Sequence, residues 1–142
     1  MNIASLLSTR TTRAFRPGHF TPLLIRRTMS LYDGRVFGSA ANTANGEVGA
    51  DTRFYYHQDG KIVWAEYSGG SIVRGYLIAT VQADDSLDMR YEHVNKEGEL
   101  MTGRCHSTPE KLEDGRLRMH EKWQWTSGDQ SAGESTLEEV KA

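Results

Sequence analysis

The chain has 142 residues, of which 37% are hydrophobic and 25% charged, and this length fits a single domain with one core. Its net charge of −2 hides an asymmetry: the residues before Asp33 include five arginines and no acid, which leaves 12 basic and 19 acidic residues, or −7, for the remainder. An acidic domain of this kind is a poor partner for nucleic acid or an anionic membrane surface, and neither is expected as a partner.

The first 30 residues form a basic leader that is rich in serine and threonine. This composition is typical of a mitochondrial transit peptide. Two other interpretations stay open: a disordered tail, or a start assigned too early, with the true initiator at Met29. The protein is therefore expected in mitochondria if the leader is a transit peptide and in the cytoplasm otherwise. Residues 31–142 are expected to form one domain.

Metal and cofactor sites find little support in the sequence. Cys105 is the single cysteine, so neither an intrachain disulfide nor a cysteine-based zinc site can form. The five histidines include no pair at the spacing of helical metal ligands. We therefore expect no metal and no cofactor. No apolar run is long enough to cross a bilayer as a helix.

Turn signals recur at nearly regular intervals from residue 33 onward, and the segments between them are rich in Val, Ile, Tyr, Trp and Thr. Seven turns between extended segments predict eight strands joined as a meander, which can close on itself and remove its exposed edges. The fold class predicted is all-β, an eight-stranded antiparallel up-and-down barrel. The turns are Asn45-Gly46, Asp59-Gly60, Gly69-Gly70, Asp84-Asp85, Glu97-Gly98, Asp114-Gly115 and Ser127-Gly128-Asp129.

Hairpin geometry assigns the faces of the first four strands. If Asp59-Gly60 is a two-residue type I′ turn, Trp64 lies on the face of Tyr55, and Glu66 lies directly across from Arg53. The same rule at Gly69-Gly70 joins this face to a largely apolar set in the fourth strand, so we assign it to the interior. That set is Val73, Gly75, Leu77, Ala79 and Val81, and the rule at Asn45-Gly46 adds Val36, Gly38 and Ala40.

The strand from Arg116 to Trp125 has one polar face and one apolar face, with a carboxylate, Glu121, in the middle of the apolar one. Alternation after residue 85 points Tyr91 inward as well. Two other strands stay open, because a one-residue change in loop length turns every side chain to the opposite face. They are the last strand, Gln130 to Val140, and the strand near residue 103, where either Met101, Gly103 and Cys105 or Leu100 and Thr102 lie inside.

The predicted interior is too polar for a core that serves packing alone. Eight strands enclose just enough space for packed side chains or one small ligand, and glycines and alanines at inner positions favour a cavity. Aromatic walls with a few fixed polar groups are typical of a small-molecule site. The predicted ligand-binding residues are Arg53, Tyr55, Trp64, Glu66, Tyr91, Glu121 and Trp123, with His57 and His93 as further candidates.

Two carboxylates are the candidate catalytic residues. An ion pair with Arg53 would account for Glu66 without any function. Glu121 has no such local partner, and burial of an unpaired carboxylate raises its pKa or destabilises the fold. Glu66 and Glu121 fall on the third and seventh predicted strands, which are opposite in an eight-stranded barrel, so the pair could support general acid and base chemistry.

Three segments carry a resemblance to a family of small, largely bacterial proteins that are often labelled N-acetylglutamate synthase. The label implies an acetyltransferase activity but carries no established catalytic residues. In architecture the predicted meander looks like avidin and the lipocalins, by analogy of fold alone. The segments are Tyr32-Asp33-Gly34-Arg35, Trp64 with Glu66-Tyr67-Ser68-Gly69-Gly70, and the run from His120 to Asp129.

The sequence thus favours a barrel that binds a small molecule in a polar, aromatic lumen. An enzyme that uses lumen carboxylates, or an N-acetyltransferase as the label implies, is the first alternative. A structural barrel with a satisfied polar core is the second. The ligand is not readable from the sequence, and an oligomer is compatible with it.

Overall fold

The computed structural model describes residues 30–141, so the predicted leader lies outside the described residues apart from Ser30. Eight antiparallel strands follow one another around a closed barrel, and β1 pairs with β8 to close it. The predicted fold class and strand number are confirmed. The strands are β1 (Val36–Asn42), β2 (Arg53–Asp59), β3 (Ile62–Gly69), β4 (Ile72–Val81), β5 (Leu87–Asn95), β6 (Leu100–Lys111), β7 (Leu117–Trp125) and β8 (Ala132–Glu139).

Each predicted turn lies at or between the ends of consecutive strands, because glycine and aspartate supply the backbone conformations that reverse the chain. Gly60, Gly98, Gly115 and Gly128 all have positive φ, which side chains other than glycine rarely adopt. The β1–β2 connection is the long one and spans residues 43–52. Residues 30–141 contain no helix of the length and hydropathy that a membrane crossing requires.

The segment Tyr32 to Arg35 packs into one end of the barrel, and we call it the plug. Tyr32, fully buried, donates a hydrogen bond from its hydroxyl to the carbonyl of Asp85. Arg35 binds the carbonyl of Leu31 at 2.6 Å and the carboxylate of Glu139 at 2.5 Å. The segment Tyr32 to Arg35, which carries part of the resemblance, therefore has a structural role here. The apolar side chains of the strands that have no exposed surface are Phe37, Val63, Leu87 and Met119.

The faces of β2 and β3 are the reverse of those predicted. Phe54 and Tyr56 point inward from β2, and Val63, Ala65 and Tyr67 point inward from β3. The predicted interior residues Arg53, Tyr55, Trp64 and Glu66 lie on the outer face, where Tyr55 is 49% and Trp64 39% exposed. Val36 and Gly38 of β1 pair with Tyr55 and Arg53 and so share that outer face, and Ala40 is exposed as well.

A β-bulge explains the error. The register between β3 and β4 shifts between Tyr67 and Gly69, so that Gly69 pairs with Ile72 and Tyr67 with Gly75. An extra residue in one strand of a pair turns the side chains beyond it to the other face. The prediction for β4 is correct from Gly75 onward, but Val73 is exposed. Because the prediction assumed a regular turn without a bulge, it placed the inner residues of β4 on the same face as the outer residues of β3.

The later strands follow their alternation. Met89, Tyr91 and His93 face the interior from β5, and Glu121, Trp123 and Trp125 face it from β7. Of the strands whose faces the sequence left open, β6 turns Gly103, Cys105 and Ser107 inward, and β8 turns Ser135 and Leu137 inward.

Candidate functional site

A small cavity lies in the half of the barrel away from the plug. It has a volume of about 50 Å³, which is room for a few water molecules. Residues 43–52, which we call the capping loop, lie across its mouth, and Glu121 lies in its wall. Six aromatic side chains line it as well: Phe54, Tyr56, Tyr67, Tyr91, Trp123 and Trp125.

Inward-facing glycines make room for these rings. The ring of Tyr91 lies against Gly103, the ring of Tyr67 against Gly75 and the ring of Trp123 against Gly133, so that a Cβ atom at any of these glycines would collide with its ring. The prediction that inner glycines leave a cavity is thus only partly correct, since neighbouring rings occupy most of the space. Tyr91 and Trp125 meet edge to face with their centroids 5.7 Å apart, whereas Phe54 and Tyr67 stack.

Glu121 is the buried carboxylate of the lumen, and 9% of its surface is exposed. Ser135 donates a hydrogen bond to it at 3.1 Å. Burial raises its pKa above the usual value, and the polar groups of Ser107, Ser135 and Cys105 oppose that shift only in part. Ser107 lies directly across from Glu121 in register, yet its hydroxyl makes no hydrogen bond of full geometry among the described residues.

The carboxylate of Glu121 affects the pKa values of two neighbouring groups. Burial raises the pKa of the Tyr56 hydroxyl and of the Cys105 thiol, and repulsion from the carboxylate of Glu121 raises both further. Cys105 is therefore held as a neutral thiol, which is a poor nucleophile. This arrangement argues against covalent chemistry at the single cysteine.

Three buried polar atoms lack a hydrogen-bond partner within residues 30–141: the hydroxyls of Tyr56 and Ser107 and the side-chain oxygen of Asn42. Tyr56 is 1% exposed and lines the cavity, as does Asn42. A buried polar atom without a partner is unfavourable by about 1–3 kcal/mol and is rare in folded proteins. Within residues 30–141 the protein itself therefore supplies no partner for these three atoms, and water or a ligand in the cavity would have to supply it.

The capping loop is held over the cavity by a chain of hydrogen bonds. The carboxylate of Glu47 binds Nε2 of His93 at 2.7 Å and the side-chain amide of Asn95 at 3.0 Å. Nδ1 of His93 in turn lies 2.9 Å from the hydroxyl of Tyr67. The indole Nε1 of Trp125 donates to the carbonyl of Asn45 at 3.1 Å. Side chains of β3, β5 and β7 thus hold the loop at the mouth of the cavity.

The structure brings together only some of the predicted site residues. Tyr91, Glu121 and Trp123 meet at the cavity, and His93 joins them at its mouth. Arg53 instead donates to the backbone carbonyls of Ala50 and Thr52 on the outside of the barrel. Whether the inward residues bind a ligand stays a prediction.

Glu66 forms an ion pair with His57 at 2.6 Å on the outer face. The predicted ion pair between Glu66 and Arg53 is therefore wrong. So is the prediction that Glu66 and Glu121 face each other across the lumen, because the wall of the barrel separates them. The hypothesis of a paired acid and base loses its geometric basis.

Sequence reasoning missed Tyr56, Tyr67 and Glu47. The two tyrosines alternate with polar residues in β2 and β3, so the opposite choice of face would have found them. Glu47 lies in a loop, where no periodicity marks a side chain that folds back over the barrel.

Among residues 30–141 there is no group of three or more His, Cys, Asp or Glu side chains that could hold a metal ion. The letters Arg35 to Ala40 match the pyrophosphate-binding pattern of acetyltransferases, but that pattern requires a following helix N-terminus. These residues lead into and form part of β1, and residues 30–141 contain no helix.

A family model described as avidin-like protein matches residues 30–140, which is most of the chain and nearly all of the described barrel. The chain belongs to the avidin-like protein family. Comparison with curated proteins and with solved structures gave no match. The avidin-like assignment agrees with the closed eight-stranded meander, and nothing in the comparisons supports the N-acetylglutamate synthase label.

Proposed function

We propose that this avidin-like barrel binds a small molecule in the cavity beneath the capping loop. The observation that carries the proposal is the set of buried polar groups without partners, Tyr56 and Asn42, that line a cavity with aromatic walls. A core that served packing alone would gain stability from apolar residues at these positions. Groups of this kind are retained where they orient a ligand.

Membership of the avidin-like family supports the proposal, since it fits a barrel that binds small molecules. The size of the cavity limits what can enter while the loop is closed. At about 50 Å³ it admits only a head group of a few non-hydrogen atoms, whereas sites for larger ligands commonly span about 300–1,000 Å³. A larger ligand would have to displace the capping loop and break the contacts of Glu47.

The three tryptophans provide a direct test. Trp123 and Trp125 lie in the wall of the cavity, whereas Trp64 lies outside and serves as an internal reference. A set of small neutral and charged compounds is added to protein labelled with ¹⁵N, and the indole N–H signals are recorded by NMR. The expected result is that compounds that raise the melting temperature also shift the signals of Trp123 and Trp125 and leave Trp64 unchanged.

Compounds that shift only the Trp64 signal would place binding on the outer surface and refute the proposal. A broad set of compounds with no effect on any of the three signals would favour the structural alternative.

A further inference from the structure

Acidic side chains outnumber basic ones among the residues that line the cavity. No lysine or arginine lines the cavity, although the described barrel carries many of both on its outside. Two carboxylates, Glu121 and Glu47, line it, and the single basic side chain there is His93. His93 is already bound to Glu47 at 2.7 Å. A carboxylate or phosphate ligand would therefore meet acidic side chains and no free counter-charge among the described residues.

Glu121 has no counter-ion among the residues that line the cavity. Ser135 donates its one hydrogen bond of full geometry, and Ser107 and Cys105 offer further contacts, but all three groups are neutral, and an ionised carboxylate can accept about four hydrogen bonds. A charged N–H donor at this point would supply both the missing hydrogen bonds and the missing charge. In a site shielded from water, such a pair is held more strongly than at the protein surface.

The aromatic walls of the cavity also favour a cationic ligand. Trp123 and Trp125 line the same cavity as Glu121, with ring centroids 5.5 Å apart, and the ring of Tyr91 lies 5.7 Å from that of Trp125. The faces of aromatic rings attract cations, most strongly where water is excluded. The hydroxyl of Tyr56 has no partner among the described residues and offers lone pairs to a further N–H group.

We propose that the ligand enters this cavity with a small organic cation, an ammonium, amidinium or guanidinium head group, held by Glu121 with Tyr56 as a second acceptor. The proposal rests on the proposed function and adds the charge of the ligand to it. Burial raises the pKa of Glu121 and a bound cation would lower it, so binding is coupled to release of a proton at any pH where Glu121 is still protonated in the free protein.

Three planar molecules of equal size and different charge test the inference: acetamidinium, acetamide and acetate. Each has four non-hydrogen atoms, so size does not separate them. Binding is followed through the indole N–H signals of Trp123 and Trp125, at concentrations up to about 100 mM because ligands this small bind weakly. Acetamidinium is expected to bind about tenfold or more tightly than acetamide, and acetate is expected not to bind.

Matched variants show where the preference arises. In Glu121→Gln the affinity for acetamidinium should fall about tenfold to a hundredfold, as for the loss of a charged hydrogen-bond partner, while the affinity for acetamide changes little. Tyr56→Phe should weaken binding about threefold to tenfold. Glu66→Gln makes the same chemical change on the outer face and should leave the affinity unchanged.

A second measurement needs no variant. For the wild-type protein the affinity for acetamidinium should rise with pH, by up to tenfold per pH unit, until the pKa of Glu121 is passed. The affinity for acetamide should stay level.

The outcomes separate the two proposals. Equal or tighter binding of acetamide or acetate, with shifts at Trp123 and Trp125, would overturn the cation inference and leave the lumen as a ligand site. An affinity for acetamidinium that is unchanged in Glu121→Gln would also overturn it, and so would an affinity that falls as the pH rises. If none of the three molecules shifts either signal, the cation inference fails, and the broader compound set decides whether the lumen binds anything.

Discussion

Replacement of Glu121 by glutamine should stabilise the barrel at neutral and alkaline pH. Burial raises the pKa of Glu121, so the folded protein keeps this proton over a pH range in which the unfolded chain, with a carboxyl pKa of about 4.3, has released it. The free energy of unfolding of the wild type therefore falls as pH rises above about 4.3. The slope is at most about 1.4 kcal/mol per pH unit, and the fall ends once the folded pKa is passed.

Glutamine has no proton to lose, so this fall is absent from the variant. The amide keeps an oxygen that can accept the hydrogen bond from Ser135. A buried polar group with too few partners costs about 1–3 kcal/mol, and more when it is charged. Glu121→Gln should therefore be about 1–3 kcal/mol more stable than the wild type near pH 8 and about equal to it near pH 4, where both side chains are neutral.

Urea unfolding between about pH 4 and pH 9, followed by tryptophan fluorescence, measures both quantities. Glu66→Gln is the matched control, since it changes an exposed ion pair that contributes at most about 1 kcal/mol. A Glu121→Gln variant that is less stable than the wild type at pH 8 would refute the reasoning. It would mean that the ionised carboxylate makes contacts that stabilise the fold, as the structural alternative requires.

Three further predictions follow from the corrected faces and from the loop. Trp123→Ala should lower the free energy of unfolding by about 3–5 kcal/mol, because this side chain is 8% exposed, whereas Trp64→Ala on the outer face should cost clearly less in the same urea titration. Gly103→Ala should destabilise by about 1–3 kcal/mol, because the added methyl collides with a tyrosine ring, while Gly49→Ala, with open space around it, serves as the control in a thermal melt. Glu47→Ala removes the side-chain contacts that hold the capping loop, and amide hydrogen exchange in residues 43–52 should become faster while exchange in the strands is unchanged. Unchanged loop exchange would show that backbone contacts alone close the mouth.

The number of strands and the approximate position of every turn were predictable because they depend on local signals. The two-residue turns after β2 and β3 lie one residue later than predicted, at Gly60-Lys61 and Gly70-Ser71. Turn pairs with glycine or aspartate require particular backbone conformations, and these act over two to four residues. The faces of β5 and β7 were predictable for a similar reason. Their apolar and polar residues alternate cleanly, so Tyr91 and Glu121 could be placed inside without knowledge of any other strand.

The faces of β2 and β3 could not be assigned in this way. Both sides of these strands carry aromatic residues, with Tyr55 beside Tyr56 and Trp64 beside Tyr67. Which face lies inside then depends on the register with neighbouring strands, and a bulge near Gly69 changed that register by one residue. A single such change is enough to exchange interior and exterior, because side chains alternate with a period of two.

The sequence by itself determined an eight-stranded meander and an apolar strand with one carboxylate in the middle of its inner face. Both depend on patterns within a strand or a turn. The tertiary structure decided the rest: which tyrosines face Glu121, that no lysine or arginine lines the cavity with it, and that Glu47 reaches back from the capping loop to His93. These features depend on hydrogen-bond register and on contacts between residues 46 or more positions apart in the chain, and no local pattern carries that information.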